Sequence, residues 1–297
     1  HPCTQIEGGT EIGMQIIADF AHMFKSGQFT DLVGTPSHLY SIGFSNSTWA
    51  LFPLINDPLG ENLFDLSLIV TTGWPVPIPI DFRSPVEDAP PHVPSAAAGK
   101  VMVLLTEGDI ALWGPTLRDD ATNPLYRAYE VAGAAHIPPP FSSAVNWTPV
   151  LRALFVAGDQ WVTEGVEPPA SIAMESANAD VVDPVYGRVT GIARDEDLNA
   201  LGGIRLPDLA LGRGQFIAVD TETLVLLGTF IEQKCALMAD GSPRFPTHEA
   251  YVDAFTAHTE ALVAERLLLP SDAERLIEEA MSSDVGVQEN CATSASE

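Results

Sequence analysis

The stretch Leu39-Tyr40-Ser41-Ile42-Gly43-Phe44-Ser45-Asn46-Ser47, running straight into Thr48-Trp49-Ala50-Leu51-Phe52, decides how this chain is read. An apolar run ends in Gly-x-Ser-x-Ser and passes at once into a helix-like run, which is the pattern of a nucleophile elbow. In such an elbow the serine sits on a tight strand-to-helix turn, its hydroxyl stands clear of the backbone, and the next amide can help bind an oxyanion. Ser45 is therefore the candidate nucleophile and the Asn46 amide the candidate oxyanion donor, with Ser47 as the alternative nucleophile. Gly-x-Ser alone is weak evidence. At ordinary glycine and serine frequencies a chain of this length holds about one match by chance, so the context must carry the reading.

A nucleophilic serine needs a base to take its proton and an acid to orient that base, and alpha/beta hydrolases supply them in the order Ser, Asp or Glu, His. The chain has this order. A second apolar run, Lys100 to Thr106, ends in Glu107-Gly108-Asp109, placing carboxylates where a parallel sheet presents its strand ends to ligands. A third, Leu125 to Val131, is followed by Ala132-Gly133-Ala134-Ala135-His136. His136 is the candidate base. Asp109 is the candidate acid and Glu107 its alternative, because residues two apart on an extended segment point the same way.

The segments Leu39 to Ser47, Thr106 to Asp109 and Tyr129 to His136 resemble the serine, acid and histidine regions of a poorly characterised alpha/beta hydrolase family of bacteria and fungi. Two further segments carry the resemblance. Asn199 to Asp208 contains Gly202-Gly203-Ile204-Arg205-Leu206-Pro207, similar to that family's GGIRLP signature, and Tyr251 to Ala280 is similar to its C-terminal helical pair. Asn46 and Thr48 stand where the family's serine motif has glutamine and glycine. The resemblance spans about Gly9 to Ala280 and implies an α/β fold, a mainly parallel sheet flanked by helices, and a serine carboxylic-ester hydrolase. It also implies further strands and an oxyanion loop ahead of the nucleophile strand, whereas only 38 residues precede Leu39 and they read mostly as one helix, with Ile12, Ile16, Ile17, Phe20, Met23 and Phe24 at helical spacing. The sequence also begins at His1 rather than methionine. The expectation is that the N-terminal strands are lacking here and that the Leu39 strand lies at an open sheet edge, which invites a second chain supplying that half. The alternative is that the half is simply not part of this sequence.

Of the 297 residues, 40 are acidic and 14 basic, a net charge of -26. Nucleic acid is not an expected partner, because phosphate binding needs a basic footprint. The acids are scattered, as on a strongly solvated surface suited to secreted or other extracytoplasmic surroundings. No run of eighteen apolar residues is present, so no membrane span is expected. Cys3, Cys235 and Cys291 make an odd count, which leaves one thiol free or bridged to another chain if the protein is oxidised, and all three incidental if it is not. No Cys/His spacing resembles a zinc site and no glycine-rich phosphate loop follows a strand, so neither metal nor cofactor is expected.

Residues 1–165 read as the hydrolase core carrying the triad, and 166–297 as a C-terminal extension, irregular and strand-like before two helices. Asp65 to Gly73 is a further core strand. The proline-rich connection Trp74 to Pro94 is long enough to be functional, and Trp74, Pro75, Phe82 and Trp113 are candidate acyl-pocket residues, with plain packing as the alternative. Thr247 to Met281 reads as helical, broken at Pro270 with Ser271 as a cap. Arg205 is a candidate for binding a substrate carboxylate, against a structural ion pair with one of the many acids. Two function classes follow: an ester hydrolase acting through an acyl-enzyme, with peptide or lactone substrates as variants, and a non-catalytic hydrolase-like binding subunit of a two-chain assembly.

Overall fold

The structure, a computed structural model, describes residues 9–71, 98–114, 123–178, 180–220, 225–233, 237–238 and 241–287. They fall into two compact units, one of residues 1–105, 112–129 and 158–171, the other of 106–111, 130–157 and 172–297. The chain passes from the first to the second at the carboxyl ends of two strands.

The first unit opens with helix α1 (Gly9–Lys25) and a single turn α2 (Thr30–Val33), then strand β1 (Tyr40–Phe44) and helix α3 (Thr48–Asn56). Strands β2 (Leu66–Val70), β3 (Lys100–Thr106) and β4 (Tyr126–Val131) complete a four-stranded sheet in the order β1-β2-β3-β4. β1, β2 and β3 run parallel, with Phe44 and Val70 at the ends of the first two in register with Leu104, two residues before the end of β3. β2 is buried along its whole length and β3 everywhere after Lys100. That explains their unbroken apolar sequences: a strand covered on both faces has no polar side to show, so it reads as a continuous run rather than an alternation. β1 is the edge strand, and Ile42 on it is 59% exposed.

Helix α1 departs from its sequence pattern. The large apolar residues that announce the helix, Ile12, Ile16 and Phe20, are more than half exposed, whereas Ala18 and Ala21 are buried. Close approach is the reason. A Cβ on Gly13 would stand 3.2 Å from that of Ala50 in α3, so small residues form that contact while Ile12, Ile16 and Phe20 stay exposed and Ile17, Met23 and Phe24 are half-buried. A similar economy holds in α5 (Thr148–Thr163), where a Cβ on Gly158 would come within 2.7 Å of Leu66 and 3.0 Å of Met102. Farther along α5, Asp159 accepts the Tyr40 hydroxyl at 2.8 Å, and Trp161 lies beneath both Lys100 and Arg127.

In the second unit, residues 172–204 form an open ladder of isolated bridges rather than full strands. The glycine pair of the GGIRLP segment has a physical cause. Gly202 and Gly203 both sit at φ +66°, and a Cβ on Gly203 would meet the Glu130 carbonyl at 2.9 Å. Free of side chains there, the segment lies along the end of β4, so that the Ile204 amide donates to Glu130 O and the Ala132 amide to Ile204 O. Beyond a single helical turn α6 (Pro207–Ala210), β5 (Gly214–Ile217) and β6 (Thr229–Glu232) form an antiparallel pair closed by the stacked rings of Phe216 and Phe230. Helices α7 (His248–Ala264) and α8 (Pro270–Met281) enclose a core of Phe245, Tyr251, Phe255, Ala280 and Val285. No helix of the described residues is long and apolar enough to cross a membrane.

The break at Pro270 falls where the sequence puts it, but Ser271 is not the cap. Pro270 occupies the first helical position and Leu269 the cap, so Ser271 lies inside the first turn. Proline suits that place because the missing N–H there has no intrahelical acceptor to lose. Thr247, by contrast, does cap α7, accepting the Ala250 amide at 3.1 Å. Thr247→Ala should therefore cost about 1 kcal/mol in a urea titration, Ser271→Ala under about 0.5 kcal/mol, and Ile69→Ala in fully buried β2 about 2–5 kcal/mol.

Candidate active site

β1 ends at Phe44, and the next three residues, Ser45 to Ser47, form a 3-10 turn that leads without a linker into α3. Ser45 lies at φ +52°, a left-handed conformation that costs a non-glycine residue about 1–3 kcal/mol and is held only where the surroundings impose it. Two neighbours impose it. Thr48, fully buried, donates its hydroxyl to the Ser45 carbonyl at 2.6 Å. A Cβ on Gly43 would come within 3.1 Å of Leu51 and 3.3 Å of Thr48, so a bare residue two before the serine lets the helix fold back against the strand. Thr48 thus fits the turn although the family pattern has glycine at that place, because Gly43 leaves it room.

The alternative serine is committed elsewhere. The Ser47 hydroxyl accepts the Phe44 amide at 2.6 Å and donates to the Phe44 carbonyl at 2.8 Å, so it closes the turn on the end of β1. Asn46 is exposed on the outer side of the same turn. As the second residue of a helical turn its N–H precedes the first intrahelical acceptor, the condition that makes such amides donors for anions.

In the second unit, Asp109 and His136 are brought together. Both are 2% exposed, and His136 Nδ1 lies 2.6 Å from Asp109 Oδ1. A carboxylate at this distance fixes Nδ1 as the protonated nitrogen and leaves the lone pair on Nε2. The second oxygen of Asp109 accepts the Thr106 amide at 2.9 Å, while the Thr106 hydroxyl accepts the Asp109 amide at 3.2 Å. This reciprocal exchange is a capping box opening helix α4 (Glu107–Trp113), and Thr-x-x-Asp after an apolar run was a sequence signal for it. The turn carrying His136 is equally constrained. Gly133 lies at φ +70°, where a Cβ would stand 2.2 Å from Leu209, and Trp147 Nε1 donates to the Ala135 carbonyl at 2.9 Å.

Glu107, the alternative acid, does not partner His136. The sequence reading placed Glu107 and Asp109 on an extended segment with parallel side chains, but α4 begins at Glu107 itself, and on a helix residues two apart diverge by about 200°. One oxygen of the buried Glu107 accepts the Gly133 amide at 2.7 Å. The other accepts the Tyr186 hydroxyl at 2.8 Å and the Arg194 guanidinium at 2.6 Å. Arg194 also binds the buried Asp183 at 2.7 Å and lies over the Tyr186 ring. Burial and the adjacent Glu107 push the Tyr186 hydroxyl well above its ordinary range, which keeps it a donor. Burial disfavours the Arg194 charge, but Glu107 and Asp183 more than offset it. Asp183, Tyr186 and Arg194 carried no motif, and sequence reasoning did not find them.

The remaining candidates separate. Arg205 donates to Asp195 at 2.6 Å and to the Leu209 carbonyl at 3.3 Å, the ion pair that was the alternative to a carboxylate-binding role. Trp113 closes α4 and is half-buried. Trp74, Pro75 and Phe82 lie outside the described residues, as do Cys3, Cys235 and Cys291.

Comparison with known proteins agrees with this architecture. A family model described as alpha/beta hydrolase domain matches residues 5–278. None of the curated proteins and none of the solved structures matches the chain. With the match extending over most of its length, and with a parallel sheet whose third and fourth strands lead into a buried acid and histidine, the chain belongs to the alpha/beta hydrolase domain family.

Proposed function

We propose that this hydrolase cleaves carboxylic esters by covalent catalysis at Ser45. The observation that carries the reading is the buried Asp109–His136 contact, a carboxylate holding the imidazole by one nitrogen. The strained backbone of Ser45 supports it. That backbone lies at φ +52° directly after β1, where an elbow serine belongs.

In this mechanism the Ser45 hydroxyl attacks the ester carbonyl while His136 Nε2 accepts its proton, and Asp109 stabilises the imidazolium that forms. The Asn46 amide donates to the oxyanion of the tetrahedral intermediate. Collapse expels the alcohol, protonated by His136, and leaves an acyl group on Ser45. Water, deprotonated by the same histidine, then releases the carboxylic acid. Both half-reactions begin with His136 Nε2 accepting a proton.

We also propose, from the edge position of β1 and the outward apolar residues of α1, that a second polypeptide adds a parallel strand to β1 and brings the second oxyanion amide. In native mass spectrometry the species that turns over ester should exceed the mass of a single chain. An active single chain would refute this.

A fluorophosphonate should label Ser45, and Ser45→Ala should abolish labelling, whereas Ser47→Ala should keep the reactive residue at Ser45. Labelling at Ser47, or none in protein that is folded and assembled, would refute the reading, the latter in favour of a binding subunit. Asp109→Asn should lower kcat by about ten-thousand-fold, the loss seen when a triad carboxylate becomes an amide in the well-studied serine protease, with circular dichroism unchanged. Glu107→Gln should not reproduce that loss.

A further inference from the structure

Three consecutive residues at the start of α4 each bond to the four-residue turn that carries the histidine. Glu107 accepts the Gly133 amide with its side chain, the Gly108 amide donates to the Ala134 carbonyl at 3.1 Å, and Asp109 holds the His136 ring. The two carboxylates therefore grip the turn at its two ends, one by backbone and one by imidazole. Gly108 allows the close approach between them, because a Cβ there would stand 3.3 Å from the His136 amide and 3.2 Å from the Ala218 carbonyl.

Of the two grips, that of Asp109 is local, stabilised by its exchange with Thr106. That of Glu107 depends on residues far along the chain. A fully buried carboxylate is costly unless its charge is matched and its lone pairs are filled. Here Arg194 supplies the charge, the Tyr186 hydroxyl a further donor, and Asp183 sets the guanidinium, itself secured by the Thr190 hydroxyl at 2.7 Å and the Val185 amide at 2.9 Å. Tyr186 is positioned in turn by the Ala218 amide, which donates to its hydroxyl at 3.1 Å. The segment from Asp183 to Arg194 thus reaches the histidine turn through the Glu107 side chain.

We infer that Glu107 is a positioning residue, clamped by Tyr186 and Arg194, that sets the Gly133–His136 turn and with it the alignment of the His136 imidazole on Asp109. This rests on the reading of His136 as the general base. It assigns to the C-terminal region a part in catalysis. Mispositioning of a base by about 1 Å can cost up to about 100-fold in rate, and a loss of alignment lowers kcat while leaving substrate binding alone.

The test compares the wild type with Glu107→Gln and, as a second variant of nearly unchanged volume, Tyr186→Phe, each normalised to its folded fraction from a urea titration. Two readouts are taken: kcat and KM with an activated ester, and the low-field proton resonance of His136 Nδ1–H. The expected result is a kcat lower by about 10- to 100-fold at constant KM, with the resonance shifted or broadened in both variants. If both variants lose stability only, with kcat per folded molecule and the resonance at wild-type values, Glu107 is structural and the inference is overturned. If the wild type has no esterase activity but the resonance still moves, the positioning role stands and the hydrolase reading fails instead.

Discussion

The chemistry of this chain depends on the end of β3, where Thr106 and Asp109 exchange hydrogen bonds and Asp109 keeps one oxygen for His136. A carboxylate buried in this way needs partners for both oxygens, and the Thr106 amide supplies one and the His136 ring the other. The same three bonds start a helix, hold the acid still and set the imidazole tautomer. Because α4 begins at the last residue of the strand plus one, there is no flexible linker in which the acid might wander.

A second constraint is close packing at glycines where the strand ends turn. Gly43 lets α3 fold back on β1, Gly133 admits Leu209 to the histidine turn, and Gly203 lets the extension lie against the Glu130 carbonyl. Each glycine is needed because backbone or a neighbouring side chain occupies the space a methyl group would take. The acidic surplus is handled separately. Of the few cations, Arg194 is held by Glu107 and Asp183, and Arg205, Arg213 and Arg244 by Asp195, Asp208 and Asp197.

Much of this was legible in the sequence. The central strands β2 and β3 are nearly continuous apolar runs, and β3 occupies the residues its hydrophobic pattern marks out, Lys100 to Thr106. The order of serine, acid and histidine located Asp109 and His136 before any geometry was known. What failed was local direction. Glu107 and Asp109 looked equivalent because a strand was assumed to continue through them, and only the onset of a helix sends them apart. The outward Ile12, Ile16 and Phe20 of α1 misled for a related reason: periodicity identifies a face, but close packing chose the small residues beside it. Tyr186 and Arg194 were illegible because nothing local distinguishes a tyrosine or arginine that will be buried against a carboxylate some eighty residues earlier. Ser271 lost its capping role to the proline before it, whose fixed φ suits the first helical position.

The central claim is that Ser45 becomes acylated. Rapid acid quench of the protein during turnover of an activated ester, followed by peptide mass mapping, tests it most directly, because the quench unfolds the protein and preserves an acyl-enzyme formed on it. The account predicts the acyl group on the peptide containing Ser45, at Ser45 itself, and more of it in Asp109→Asn if deacylation is the step more impaired. Turnover with no acylated residue, or with the acyl group on any residue other than Ser45, would contradict it.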